Sequence, residues 1–152
     1  MPQWTAQRTA NAEAIRAACQ TLAVVKVPEF KCGGGQCSNT CAKRQGCVHG
    51  YYKYYVYVQP DQLAPGWTRD RIVAAINSGG VPCYQGTCSE VYLEKAFDGT
   101  GWRPAVRMEI AREMGETSLM FLIHPTLTQS EIDLTCKVIR QVLQDASASV
   151  TA

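Results

Sequence analysis

Leu119-Met120-Phe121-Leu122-Ile123 is the longest uninterrupted apolar run of the chain, and it limits what the rest can fold into. Five successive apolar side chains cannot alternate between core and water, so a strand over Ser118 to Ile123 has to be buried. Thr128-Gln129-Ser130-Glu131 then has the form of a capping box, in which threonine and glutamate close the first turn of a helix reciprocally. Ile132, Cys136, Ile139, Leu143 and Ala146 recur behind it at helical spacing, giving that helix one apolar stripe. A buried strand followed by a one-sided helix calls for a sheet with helices laid against it.

Upstream the same two periods alternate. Residues 3 to 23 read as a helix in which Trp4, Ala14, Ile15, Ala18 and Leu22 can share a face. Val24 to Val27 is a short extended run closed by Pro28, and Tyr51 to Gln59 is the clearest strand, closed by Pro60. Thr68 caps a helix over Arg69 to Ser78, with Ile72, Val73 and Ile76 apolar and Gly79-Gly80 stopping it. Val81 to Tyr84 reads as extended, Ser89 to Ala96 as a short helix, and Arg103 to Met114 as a helix with Val106, Ile110 and Met114 at core spacing. The expected fold is α/β (α+β): a two-layer sandwich of a three- or four-stranded sheet with helices mainly on one face. Residues 1–147 form one domain with a Cys/Gly-rich insertion at 31–47, and residues 148–152 a flexible tail.

Charge and length exclude several classes. A net charge of +2 over 152 residues argues against a nucleic-acid partner or an anionic membrane surface. The apolar run at 119–123 is far short of the roughly 20 residues that span a bilayer. Trp4 to Gln20 is amphipathic and contains Arg8, Glu13 and Arg16, unlike an export signal. A cytoplasmic protein is expected. Its eight cysteines are then thiols or metal ligands before they are disulfides. Cys19 and Cys136 fall within helical apolar patterns and read as small buried hydrophobes.

Cys32, Cys37, Cys41 and Cys47 are different. Their spacing is Cys-x4-Cys-x3-Cys-x5-Cys, with His49 two residues beyond as a fifth candidate ligand. Four thiolates within sixteen residues could hold zinc, yet Cys-x2-Cys knuckles are absent and the spacing only approaches the plant-type iron–sulfur pattern. Metal binding, disulfide formation and a reduced flexible loop all stay open.

Three blocks carry a resemblance: Tyr51-Tyr52-Lys53-Tyr54-Tyr55, the stretch Gly80 to Phe97, and Glu116 to Thr128. From His49 to Ala146 the chain resembles the C-terminal domain of the DegT/StrS family of pyridoxal phosphate (PLP)-dependent sugar-nucleotide aminotransferases. The resemblance implies the small-domain fold of fold-type I aminotransferases, and PLP as the cofactor of the full-length enzyme. In that family the cofactor lysine lies in a larger domain upstream of these blocks. None of Lys26, Lys31, Lys43, Lys53, Lys95 and Lys137 sits in a comparable Ser-x-x-x-x-Lys context, so this chain alone is expected to hold no cofactor and not to transaminate.

The stretch after Gly80 helps shape the family's sugar-nucleotide pocket. The resemblance therefore makes Tyr84, Gln85, Ser89, Glu90 and Tyr92 candidate substrate-binding residues: tyrosines to stack on a sugar or base, polar groups to bond hydroxyls. Many relatives have a histidine near the Cys83 to Gly86 turn, which this sequence lacks. His49 and His124 also fall in family blocks and read as structural. The implied partners are a large PLP-binding domain, or a separate chain carrying it, and a second copy of this chain. Two alternatives differ in class: a stand-alone, non-catalytic interaction module, and a metal- or redox-responsive protein built on Cys32 to Cys47.

Overall fold

The computed structural model describes residues 2–28, 31–32, 35–36 and 49–148. Four antiparallel strands form one open sheet in the order β1-β4-β6-β5: β1 (Val25–Lys26), β4 (Tyr54–Val58), β6 (Ser118–Phe121) and β5 (Cys83–Tyr84). Between β1 and β4 in sequence, β2 (Lys31–Cys32) and β3 (Gly35–Gln36) pair as a separate two-stranded ribbon, where the sequence suggested only loop. Cys37, Cys41 and Cys47 lie outside the described residues, as do positions 149–152.

Three helices cover one sheet face: α1 (Pro2–Cys19), α2 (Arg69–Ser78) and α4 (Gln129–Ala146). Val56 and Leu119 are register partners, as are Tyr54 and Phe121, so all four point to this face. They bury with Ile15, Ile72, Ile76, Ile139 and Leu143 into one core. This is the expected two-layer α+β arrangement. The capping box forms as read, with Thr128 Oγ1 accepting from Glu131 N and the Glu131 carboxylate accepting from Thr128 N. Cys19 and Cys136 are buried as expected, and burial pushes the Cys19 thiol up to about 12.

Two buried or edge polar groups fix the helices to the sheet. Asn11, buried in α1, donates to the carbonyl of His124 at 3.1 Å and so ties α1 to the end of β6. Asn77 of α2 donates to the Cys83 carbonyl at 2.7 Å and accepts from Cys83 N at 3.3 Å. Its carboxamide thus satisfies backbone groups of β5 that a further strand would otherwise pair, which blunts that edge. Just beyond α4, Ser147 bridges Leu63, and Ala148 N donates to Gln62 O at 2.9 Å.

Four sequence expectations are corrected. The first helix ends at Cys19, not residue 23, and Trp4 is half exposed rather than on the core stripe, which runs through Asn11, Ala12, Ile15, Ala18 and Cys19. Ser89 to Ala96 is not a helix but two 3-10 turns, Val91–Leu93 and Lys95–Phe97. The helix placed at Arg103 to Met114 begins only at Glu109, as α3 (Glu109–Thr117). Of its three supposed core residues, Val106, which precedes α3, is 78% exposed and Ile110 72%, while Met114 is half-buried. The reason is positional, because α3 lies on the second sheet face, where no helical layer receives its apolar stripe.

Candidate functional site

The second sheet face carries the candidate site. Strand alternation puts Tyr55, Met120 and Tyr84 side by side across β4, β6 and β5. Tyr84 is 49% exposed, while Met120 is buried beneath the row. Gly86 follows β5 with φ +98, a backbone conformation L side chains avoid, and a Cβ there would lie 2.9 Å from the Tyr55 ring. The glycine lets the chain turn down onto Tyr55, and Ser118 Oγ donates to the Gln85 carbonyl beside it.

Gln85 extends the row through a polar relay. Its amide donates to Asp70 Oδ1 at 2.8 Å, and Arg69 Nε donates to the same oxygen at 2.6 Å. The Arg69 guanidinium, only 15% exposed, also donates to the carbonyls of Gly115 (2.8 Å) and Ser118 (3.2 Å). The N-terminus of α2, the end of α3 and the start of β6 are thereby locked together behind Tyr84 and Gln85.

Ser89, Glu90 and Tyr92 are placed differently. Ser89 presses on α3, where a Cβ at Gly115 would meet its Oγ at 2.3 Å. Tyr92 OH donates to the Glu90 carboxylate at 2.6 Å and accepts from Met108 N at 2.9 Å. Arg107 holds both oxygens of Glu90, one of them at 2.9 Å from its Nε. The Arg107 guanidinium, aided by the Tyr92 hydroxyl, depresses the Glu90 carboxyl to about 2. Arg103 donates to the carbonyls of Tyr92, Leu93 and Glu94 and pairs with Asp98. These contacts hold the 3-10 turns together from within.

Of the five candidate residues, Tyr84 and Gln85 thus open to solvent, and Ser89, Glu90 and Tyr92 brace the segment that follows. Tyr55, Met120, Arg69, Asp70 and Arg107 were not foreseen. Only strand parity between Tyr55 and Met120 could have suggested any of them, once the register was known.

The remaining candidates act locally. His49 Nδ1 accepts from Tyr51 N at 3.1 Å, and His124 Nδ1 lies 2.7 Å from Thr126 Oγ1. Cys88 donates to Glu94 at 3.3 Å, a carboxylate contact that raises its thiol pKa and disfavours the reactive thiolate. No group of three or more metal-ligating side chains gathers among the described residues. Lys26, Lys95 and Lys137 are exposed, and Lys53 Nζ sits 5.5 Å over the Tyr52 ring.

The fold is a small α+β domain with one sheet face left open by the three core helices. No family model and no curated protein matches the sequence. Solved structures do. An aminotransferase from Psychrobacter cryohalolentis is 48% identical, with a TM-score of 0.83, over 96% of this chain and 36% of its own. The aminotransferase TlmJ from Streptoalloteichus hindustanus shares the fold at 17% identity and TM-score 0.72, over 95% of this chain and 33% of its own. A DegT DnrJ EryC1 StrS aminotransferase from Brucella abortus does so at 20% identity and TM-score 0.63, over 91% and 31%. The structural neighbours are therefore DegT/DnrJ/EryC1/StrS-type sugar aminotransferases, and this chain spans about a third of their length, as a C-terminal domain of such an enzyme would. No helix among the described residues is long and apolar enough to cross a membrane.

Proposed function

We propose that this chain is the small-domain share of a PLP-dependent aminotransferase acting on keto-sugar nucleotides. The observation that carries this reading is the 48% identity to an aminotransferase over nearly all of this chain but little more than a third of that one. In it, Tyr84 and Gln85, backed by Tyr55 and the Asp70–Arg69 relay, form one wall of the sugar-nucleotide pocket. The opposite wall, the cofactor lysine and the phosphate cradle belong to a large domain outside this chain. PLP, when bound there, supplies the electron sink for amino transfer. The residues of this chain orient the sugar: Tyr84 offers a ring face for stacking, and the Gln85 amide is held at a fixed angle by Asp70.

By itself the chain does not transaminate. Its second-face segment from Val91 to Ile110 exposes Val91, Leu93, Trp102, Val106, Met108 and Ile110, the kind of apolar surface a docking partner covers. That partner is the large domain, and in its absence a second copy.

Co-production of this chain with a large domain of the Psychrobacter-type enzyme tests the reading. The pair is expected to take up PLP stoichiometrically and to move an amino group from glutamate to a keto-sugar nucleotide, while the chain alone does neither. Tyr84→Ala in the reconstituted pair should raise KM for the nucleotide about tenfold with a smaller change in kcat. Stoichiometric PLP uptake with turnover by the chain alone would refute the proposal.

A further inference from the structure

A cavity of about 410 Å³ opens on the second sheet face at its β1 edge, at the opposite side of the sheet from Tyr84. That volume is within the range of small-ligand sites, about 300–1,000 Å³. Tyr57 of β4, Glu113 and Met114 of α3, Lys26 and Asp61 are among the residues that line it. The strand register puts Lys26 directly across from Tyr57, and α3 packs against β4. A cation and a carboxylate therefore line the cavity together with a tyrosine.

Glu13, Asp70, Glu90 and Asp98 are each held by an arginine. No hydrogen bond or ion pair among the described residues engages the side chains of Lys26, Asp61 or Glu113. Two signs kept unpaired across a cavity match a ligand that carries both, because each end gains a charge-assisted hydrogen bond. The apolar surface of Tyr57 and Met114 between them suits a short hydrocarbon body.

We propose that this cavity binds a small zwitterion of the α-amino acid class, its carboxylate on Lys26, its ammonium on Glu113 with Asp61 alongside, and its side chain against Tyr57 and Met114. The site uses only residues of this chain and stands apart from the Tyr84 wall, so it does not depend on the aminotransferase reading.

The test is a titration of the chain with L-methionine, followed by NMR at the Tyr57 ring and the Met114 methyl. Saturable shifts with a Kd of roughly 1 mM are expected. Lys26→Met and Glu113→Gln, both at exposed positions, should each weaken binding about tenfold while leaving resonances of the Phe121 core unchanged. Butylamine and valerate, each carrying one of the two charges, should also bind about tenfold more weakly. Absence of saturable shifts up to about 20 mM would overturn the proposal. So would undiminished binding by either variant, or butylamine binding as well as methionine.

Discussion

Tyr54 shows how little a single residue's burial says about its chemistry. Its ring is 3% exposed in the core beneath α1, and its hydroxyl has no hydrogen-bond partner among the described residues. Burial also pushes its phenol pKa well up, so the group is never charged in the working range. A buried hydroxyl without a partner costs about 1–3 kcal/mol of desolvation. Tyr54→Phe should therefore leave the domain as stable or raise stability by about 1 kcal/mol, measurable by urea unfolding. A loss of more than about 1 kcal/mol would mean the hydroxyl is satisfied after all. Glu90 is the opposite case, since its carboxylate is engaged on both oxygens. Its folded pKa of about 2 lies below the ordinary 4.5, so the stabilisation it brings is present above pH 4.5 and is lost as pH falls through 2. Trp102 fluorescence should stay constant down to about pH 3 and change below it. In Arg107→Ala, which removes the main cause of the shift, the change should begin near the ordinary 4.5.

Elements were legible in the sequence wherever one local signal sufficed. The Thr128 capping box and the stripe from Ile132 to Ala146 define α4 without reference to any other part of the chain, and the helix forms from Gln129 as read. Thr128→Ala removes one side of that box and should cost about 1 kcal/mol, lowering the melting temperature by a few degrees, as calorimetry would show. An unchanged melting temperature would mean that packing against α1 alone sets the end of α4. The start of α3 is not legible in the sequence, for a definite reason. Val106, Ile110 and Met114 have helical spacing, but spacing reports only that a face is apolar, not what it meets. The 3-10 turns from Val91 to Phe97 escaped notice because Arg103, six or more residues further on, organises them through three backbone carbonyls. Likewise Tyr84 and Gln85 could be chosen from sequence, whereas Tyr55 joins them through strand register and Arg69 through Asp70, which Gln85 reaches across 15 residues.

The molecule as a whole has two unequal halves. One sheet face and its three helices form a closed core, while from Tyr84 to Glu116 no residue is buried at all. A stretch of that length without a core cannot gain its order from hydrophobic burial within this chain, and Arg103 and Arg107 supply polar bracing instead. In this half Trp102 is 76% exposed, and Val106 and Ile110 are exposed as well. Such a surface lowers its free energy only when something covers it, which is why a large domain fits the proposed function and why a second copy should substitute when none is present. Sedimentation of the chain alone should show concentration-dependent association. The double variant Trp102→Ser/Ile110→Ser should shift the equilibrium toward monomer by about tenfold or more, since each buried apolar side chain contributes about 1.5–3 kcal/mol. Because both side chains are exposed in the monomer, thermal stability at low concentration should be nearly unchanged. In the presence of a large domain, the same variant should lose reconstituted activity in proportion to lost complex and recover it at high domain concentration. Association that persists undiminished in the variant would locate the contact elsewhere, on the helical face that carries Trp4 and Leu134.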